Sequence, residues 1–218
     1  MTDNDKKLRW EELKTEHLIT DQWIDFRRSS YRMPDGKVYE PYYTFTRKSY
    51  VVIAARDEAG RYICVRQFRQ GIRDITTEFP AGGLEDVDDS SADSLLTQNG
   101  SSADAGHTSL LPDQDAALSA ARRELLEETG YISDKWTHLL TIPSAATITD
   151  TYAVLFLAEN CRKAAAQTLD DMEFIEVLTC SDEEISRLIQ EGRFQQAIHV
   201  LAWHLAKEQL APNKPDKP

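Results

Sequence analysis

A short acidic run in the second half of the chain carries the residues best suited to chemistry. Residues 123–128 read Arg-Glu-Leu-Leu-Glu-Glu, so Glu124 lies three residues before Glu127 and four before Glu128. Residues three and four apart lie on the same side of an α-helix, and the spacing predicts that all three carboxylates project from one face. Like charges this close repel one another. The face therefore indicates either a cation site or a solvated acidic surface.

The residues around these glutamates predict a helix that is packed on one side. Leu118, Ala121 and Leu125 recur at the spacing of a buried helical stripe. Gly130 follows the run and is suited to end the helix in a left-handed cap. The sequence thus predicts a packed helix that presents its acidic edge to a cleft.

A glycine-rich segment upstream completes a recognisable pattern. Residues 78–85 read Glu-Phe-Pro-Ala-Gly-Gly-Leu-Glu, and the glycines allow a close approach of the backbone. Together with residues 123–131, Arg-Glu-Leu-Leu-Glu-Glu-Thr-Gly-Tyr, this segment resembles the Nudix box, the signature of the Nudix hydrolases. In that family the glutamates hold divalent metals, usually magnesium, against a pyrophosphate bridge that water cleaves. Carboxylate oxygens are the hard ligands that magnesium prefers.

The resemblance extends from about residue 8 to residue 207 and is to the ADP-ribose pyrophosphatase branch. It implies metal-dependent hydrolysis of the pyrophosphate bond of a nucleoside diphosphate sugar. ADP-ribose is the favoured substrate, and AMP and ribose 5-phosphate are the expected products. The expected cofactor is Mg2+ or Mn2+, which would activate water and neutralise developing charge.

The same resemblance implies a set of site residues. The expected metal ligands are the Ala81 carbonyl, Glu124, Glu127 and Glu128. The expected catalytic residues are Glu127, Glu128, Arg123 as the group that orients the glutamates, and Glu173 or Asp171 as the base that deprotonates water. The expected substrate-binding residues are Gly82, Gly83, Arg66 and Arg69, with Arg69 as a bidentate phosphate ligand. A merely solvated role stays open for Arg69 and for each of the two acidic loop residues.

The chain departs from the family pattern by a long insertion. Between Gly82 and Asp115 there are 32 residues where the family has five, and Asp115 stands where the family has glutamate. The inserted stretch, about residues 86–114, is rich in Ser, Asp, Ala and Gly and contains no Lys or Arg. This composition predicts a solvated loop that cannot bury a core, although a lid or a protein contact is an open alternative.

A second departure lies in the loop at residues 143–150. Related pyrophosphatases usually carry a glycine and a glutamate there, whereas this loop has no glycine and Thr151 takes the place of the glutamate. The two departures keep two alternatives open. One is hydrolysis of another sugar nucleotide, such as a GDP- or UDP-sugar. The other is a non-catalytic Nudix-like module that senses a nucleotide, against which the intact glutamates argue.

The expected fold is of the α+β class, a Nudix-type α/β/α sandwich with a mixed sheet, preceded by a small N-terminal antiparallel sheet. Residues 1–47 form the N-terminal β-sheet region, to which the resemblance assigns dimerisation and binding of the substrate base. Residues 48–208 form the hydrolase domain, and residues 209–218 a disordered tail. Aromatic residues such as Trp23, Tyr42 and Tyr43 are either stacking groups for the base or only packing residues.

Composition restricts the partners and the compartment. A formal net charge of −12 argues against nucleic acid as a partner, because binding to phosphates is dominated by Lys and Arg. The sequence contains no run of about 20 apolar residues and no signal peptide, which predicts no membrane contact and a cytoplasmic protein. Cys64, Cys161 and Cys180 are too scattered for a disulfide framework and are expected to be free thiols. His199 and His204 are expected on the surface of a terminal helix.

Overall fold

The described part of the chain forms two compact units. The computed structural model describes residues 5, 7–84, 111–170 and 172–211. The first unit contains the described residues up to Lys48 together with Pro143–Thr151, and the second contains the remaining described residues.

The first unit is built on a three-stranded antiparallel sheet, as the sequence predicted. Its strands are β1, Glu11–Thr20; β2, Asp25–Arg32; and β3, Val38–Thr46, in the order β1-β2-β3. The turn between β2 and β3 contains Gly36 at a φ of +85°, a conformation that side chains rarely adopt. An Asp-Gly pair suits such a turn, because the turns that join two antiparallel strands commonly need a positive φ.

An aromatic cluster lies on one face of this small sheet. The Trp10 ring is centred 6.2 Å from Tyr31, 5.9 Å from Tyr39 and 6.2 Å from Tyr42. The Tyr42 hydroxyl donates a hydrogen bond of 2.6 Å to the Thr147 carbonyl, in the loop that belongs to the same unit. Tyr42 therefore has a packing role. Trp10 nevertheless keeps 44% of its surface exposed.

The second unit contains an eight-stranded mixed sheet. Its strands are β4, Tyr50–Asp57; β5, Tyr62–Arg69; β6, Asp74–Glu78; β7, Ala81–Gly83; β8, Tyr131–Ile132; β9, Lys135–Pro143; β10, Tyr152–Lys163; and β11, Glu176–Cys180. The main order is β11-β5-β4-β10-β8, with β6 paired to β5, β7 to β4 and β9 to β10. The central pair β4 and β10 is parallel, whereas β5 is antiparallel to its neighbours β4, β6 and β11. Strand β4 is apolar on both faces, which is typical of a sheet covered on both sides.

Helices cover both faces of this sheet. They are α1, Gln114–Thr129; α2, Asp182–Gln190; and α3, Ala197–Leu210. Helix α1 packs through Ala121 and Leu125 against Ile53, while Ile185 of α2 and Trp203 of α3 pack in a separate cluster on the other face. The predicted α+β sandwich with a mixed sheet is thus confirmed.

Several sequence predictions fall near the limits of the described chain. The inserted stretch predicted at about residues 86–114 lies largely outside the described residues, as do residues 212–218 of the predicted tail. Helix α3 runs to Leu210, two residues past the predicted domain end at residue 208. The three cysteines are buried free thiols, as predicted. Among the helices of the described chain, none has the length and apolar character that a membrane crossing requires.

Candidate active site

Both ends of helix α1 are fixed by local interactions. The Asp113 carboxylate accepts a 2.8 Å hydrogen bond from the backbone N–H of Ala116, which caps the first turn. At the other end Gly130 adopts a φ of +70° and donates its N–H to the Leu126 carbonyl at 2.7 Å. A Cβ at Gly130 would lie 2.2 Å from the Ala165 carbonyl oxygen. Glycine is therefore required both by the positive φ and by the lack of space for a side chain. The predicted left-handed cap is confirmed.

The three glutamates of α1 divide into a buried pair and a rim residue. Glu124 and Glu128 are buried, whereas the Glu127 side chain keeps 41% of its surface exposed. Helix positions four apart share a face, so Glu124 and Glu128 turn inward together while Glu127 is displaced to the edge. A merely solvated acidic surface does not describe the buried pair.

Strand β7 brings its backbone against both buried carboxylates. The Ala81 N–H donates a 3.0 Å hydrogen bond to Glu128 Oε2. A Cβ built on Gly82 would lie only 1.9 Å from the Glu124 carboxyl carbon, so the glycine makes room for that carboxylate. The two halves of the predicted motif, far apart in sequence, thus meet at the same place.

Arg123 bridges two of the glutamates on the same helix. Its Nη2 lies 2.7 Å from Glu124 Oε1, and its Nη1 donates a 2.8 Å hydrogen bond to Glu127 Oε2. A third contact of 3.4 Å reaches the Gly83 carbonyl of β7. This arrangement gives Arg123 the contacts that the predicted orienting role requires.

Burial disfavours the ionised forms of Glu124 and Glu128. Burial raises the pKa of Glu128 to about 8; the Ala81 N–H opposes the shift and the neighbouring Glu124 adds to it. The pKa of Glu124 is also raised, chiefly by burial, against the opposing effect of Arg123. A divalent cation would favour the ionised forms of both glutamates. Their hard carboxylate oxygens, beside the backbone of Ala81 and Gly82, are ligands that fit magnesium. Within the described ranges, no three acidic, histidine or cysteine side chains already converge as a metal-binding group.

The last turn of α1 is held by residues 163–168, which no sequence motif distinguishes. Gln167 Nε2 donates to the Glu128 carbonyl at 2.7 Å, and the Thr168 N–H donates to the Glu127 carbonyl at 2.9 Å. Lys163 Nζ reaches the Thr129 carbonyl at 2.7 Å. These donors satisfy carbonyls that a helix end leaves unpaired. No local signal marks them, because the partners lie more than 30 residues apart in sequence.

The acidic loop follows that anchored segment. Glu173 is exposed, and its Oε2 accepts a 3.2 Å hydrogen bond from the Asp170 N–H. Its negative charge contributes to the raised pKa values of Glu124 and Glu128. The other predicted base, Asp171, lies outside the described residues. That either of these two loop carboxylates acts as the base stays a prediction.

The two arginines predicted to bind phosphate are both engaged by glutamates. Arg69 Nε and Nη2 donate to the two oxygens of Glu78 at 2.7 and 3.0 Å. Arg66 Nη1 donates to Glu176 Oε2 at 3.2 Å across the β5 and β11 pair. A guanidinium has five N–H donors, so a phosphate at Arg69 would use those that Glu78 does not take.

The expectation that His199 lies on a helix surface is wrong. His199 is 3% exposed, and its Nδ1 accepts a 3.1 Å hydrogen bond from the Phe79 N–H. Burial, assisted by the Arg69 charge, lowers the pKa of His199 to about 3. The start of α3 packs onto the end of β6, which no pattern local to the helix discloses. His204 is exposed, as predicted.

Thr151, which stands where the resemblance expects a glutamate, has a structural role in the first unit. Its hydroxyl donates to the Arg47 carbonyl at 3.1 Å and accepts from the Arg47 N–H at 3.2 Å. A further 2.8 Å contact joins it to the Thr149 hydroxyl. Thr151 is 6% exposed. Its contacts tie the loop to the end of the small sheet.

Comparison with known proteins identifies the class. The family model of the NUDIX domain matches residues 46–204, which is most of the chain. The chain therefore belongs to the Nudix family, and it is a Nudix hydrolase that resembles the ADP-ribose pyrophosphatase branch.

Individual relatives cover nearly the whole chain. The ADP-ribose pyrophosphatase of Bacillus subtilis (strain 168) is 26% identical over 212 residues, spanning 96% of this chain and 100% of the relative. The methanol dehydrogenase activator of Bacillus methanolicus is 23% identical over 191 residues, spanning 87% and 88%. A solved structure, described as that of an ADP compounds hydrolase, superposes with a TM-score of 0.70 at 18% identity, covering 93% of this chain and 94% of the other. That structure shares the fold.

Proposed function

We propose that this chain is a metal-dependent pyrophosphatase that hydrolyses nucleoside diphosphate sugars, with ADP-ribose as the favoured substrate and AMP and ribose 5-phosphate as products. The observation that carries the proposal is the buried pair Glu124 and Glu128, set against the backbone of Ala81 and Gly82. Burying two acidic groups lowers the stability of the fold unless their charge is compensated, and a bound cation would compensate it. The ADP-ribose pyrophosphatase among the relatives supports the choice of substrate.

The proposed cofactor is Mg2+ or Mn2+. The Ala81 carbonyl, Glu124, Glu127 and Glu128 would hold it. When bound, such a cation polarises phosphoryl oxygens and lowers the pKa of water. Because the pKa of Glu128 is raised to about 8 in the protein alone, loading of the cation near neutral pH would be accompanied by release of a proton.

The remaining site residues divide the work of binding and proton transfer. Arg123 holds Glu124 and Glu127 in place through its two ion pairs. Glu173 or Asp171 accepts the proton of the attacking water. The substrate phosphates are bound by Arg69 and Arg66 and by the backbone of Gly82 and Gly83.

The proposal includes a cytoplasmic homodimer that binds no nucleic acid. The homodimer is supported by the partly exposed aromatic cluster around Trp10 in the first unit, because protein interfaces are enriched in aromatic residues. Light scattering after size-exclusion chromatography tests it directly. A mass of about 25 kDa would reject the dimer, because one chain weighs 24.8 kDa.

A second candidate is a module that binds a nucleotide without hydrolysing it. One relative is called an activator of another enzyme, and Thr151 replaces an expected glutamate with a buried structural residue. The complete set of α1 glutamates favours the hydrolase. Ligand binding without product formation in the presence of metal would favour the module instead.

The deciding experiment is release of AMP from ADP-ribose, measured beside ADP-, GDP- and UDP-sugars with magnesium, with manganese and with chelator. We expect hydrolysis of ADP-ribose above the other compounds, and its loss in chelator. Preference for a GDP- or UDP-sugar would overturn the substrate. Silence across the panel, from protein shown to be folded, would overturn the hydrolase proposal.

A further inference from the structure

A buried carboxylate stands directly before the glycine-rich strand. Glu78 ends β6, has no exposed surface, and is followed by Phe79, Pro80 and the first residue of β7. Its Oε1 accepts from Arg69 Nε at 2.7 Å. Its Oε2 accepts from Arg69 Nη2 at 3.0 Å and from Gln196 Nε2 at 3.2 Å. A carboxylate without solvent is thus compensated by one guanidinium and one amide.

Gln196 reaches Glu78 from a position that usually serves another purpose. It is the residue before α3, yet it makes no side-chain hydrogen bond to the start of that helix. Ser181 at the start of α2 shows the contrast, because it forms a complete capping box with Glu184. Helix α3 therefore begins without a side-chain cap, and the amide that stands there is directed to Glu78 instead.

His199 completes the seat of this carboxylate. Its Nδ1 accepts from the Phe79 N–H at 3.1 Å, so the proton of the neutral ring is on Nε2. That nitrogen lies 3.8 Å from Glu78 Oε2, beyond hydrogen-bond distance. The ring thus restricts Glu78 from one side while it binds the backbone between Glu78 and β7.

These contacts form a chain from α3 to the substrate-facing arginine. The bidentate pair fixes the plane of the Arg69 guanidinium, since a planar fork on a carboxylate has one preferred orientation. The Arg69 side chain keeps one third of its surface exposed, whereas the Glu78 side chain has none. The buried half of the pair is therefore the support, and the exposed half is the part that a phosphate can approach.

We propose that Glu78 and Gln196 are positioning residues that hold the Arg69 guanidinium in the orientation required to bind a substrate phosphate. The contact of Arg69 with phosphate rests on the proposed function; the hold on Arg69 does not. Neither residue touches the substrate. Gln196 acts through Glu78, and Glu78 acts through Arg69.

The kinetic test is a double-mutant cycle between Gln196 and Arg69. Gln196→Met keeps the length of the side chain and removes its donor. We expect it to lower kcat/KM for ADP-ribose by about 3- to 10-fold, mainly through KM, because a hydrogen bond to a charged group is lost. In an Arg69→Lys background the same change should have no further effect. Arg69→Lys is preferred to Arg69→Ala because it leaves a cation beside the buried Glu78.

The matched control is the neighbouring glutamine. Gln195 Nε2 donates to the Gly192 carbonyl at 2.7 Å and lies 3.4 Å from Asp74 Oδ2, so it supports the same region without touching Glu78. Gln195→Met should leave kcat/KM within about twofold. An equal loss in Gln195→Met, or full additivity of Gln196→Met with Arg69→Lys, would overturn the positioning role.

A spectroscopic readout separates this inference from the proposed function. The Nε–H of Arg69 donates to Glu78, and its NMR signal can be assigned by its loss in Arg69→Lys. Its exchange with solvent should be slow in the wild type, several-fold faster in Gln196→Met and unchanged in Gln195→Met. If the wild type hydrolyses nothing, the proposed function fails, and the exchange rates still decide. Equal rates in the wild type and Gln196→Met would overturn the inference.

Discussion

The two sheets of this molecule differ in what covers them. The sheet of the second unit is covered by helices on both faces, and Ile53 at its centre has no exposed surface. The sheet of the first unit leaves aromatic side chains such as Trp10 and Tyr39 about half exposed. Buried carboxylates such as Glu124 and Glu128 need neighbours that are fixed by packing and hydrogen bonds, because burial removes the water that would otherwise solvate them. The covered sheet provides such neighbours.

Three ion pairs, two from the first unit and one from the second, show how exposure changes the role of a charge. In the first unit Arg28 pairs with Glu16 and Arg32 with Glu11, and all four side chains are about half exposed or more. Exposed pairs of this kind contribute little to stability. In the second unit Arg69 pairs with the wholly buried Glu78. Glu78 is thus a buried charge whose geometry is set by its pair, unlike the exposed charges of Glu11 and Glu16.

The largest effect should come from Glu128, one of the two buried glutamates of α1. Glu128→Gln should reduce kcat/KM by at least about 100-fold. Loss of a residue that supports a metal ligand typically costs about 10- to 100-fold, and loss of the ligand itself should cost more. The matched control is Glu11→Gln in the first unit, whose exposed pair with Arg32 predicts a change within twofold. Steady-state rates with saturating magnesium measure both. A similar loss in the two variants would remove the distinction between the units.

The next effect concerns the two glycines of β7. Gly82→Ala would place a Cβ against the Glu124 carboxylate, which must then move, and we expect kcat/KM to fall by about 10- to 100-fold. Gly83→Ala is the matched control, since a Cβ there meets no atom within 4 Å. Thermal unfolding of both variants should be measured beside the rates, to show that each variant is folded. Equal rates for the two variants would contradict the close approach of β7 to α1.

A smaller effect should appear in the pH dependence of stability. His199 has a pKa of about 3 in the folded protein, against 6.5 for an unperturbed histidine. Below pH 6.5 the unfolded chain binds a proton at His199 that the folded chain does not, so His199 contributes a fall in the free energy of unfolding of up to about 1.4 kcal/mol per pH unit between pH 6.5 and pH 3. Glu128 opposes this fall, because its raised pKa of about 8 lets the folded chain keep a proton that the unfolded chain loses above pH 4.5. Urea unfolding at pH 7, 6 and 5 measures this slope. Between pH 7 and pH 5 His199→Gln should gain stability relative to the wild type, whereas His204→Gln should keep the wild-type slope.

The smallest effect should come from the exposed aromatic cluster. Trp10→Ala removes three ring contacts and should lower the free energy of unfolding by about 1 kcal/mol, with kcat unchanged. Trp23 is 66% exposed, and Trp23→Ala is the control that should leave stability unchanged. Urea unfolding and kcat measure the two properties. A loss of kcat in Trp10→Ala would show that catalysis depends on the first unit.

Local sequence patterns predicted much of the architecture. The spacing of Leu118, Ala121 and Leu125 predicted helix α1, and Gly130 predicted its end. Both sheets were expected as parts of the Nudix-type fold that the resemblance implies. The meeting of Gly82 with Glu124 followed from the family resemblance rather than from periodicity.

Contacts between distant segments were beyond such patterns. Gln196 and His199 surround Glu78 from a helix more than 100 residues later, and Gln167 binds the last turn of α1 from another strand end. The rule that a histidine in a helix usually lies at the surface failed for His199, because packing on β6 overrode it. Burial of Glu128 also could not be derived from charge, since charged residues are rarely buried.

The place of the insertion has a consequence for how this chain can vary between species. The residues before it are held by β7, whose Ala81 binds Glu128, and the helix after it begins at its own cap, Asp113. Both contacts are made by described residues on either side of residues 85–110. Each doubling of a connecting loop adds only about 0.6 kcal/mol of closure entropy. The entropy of loop closure therefore leaves natural selection wide freedom in the length of the connection between these two contacts.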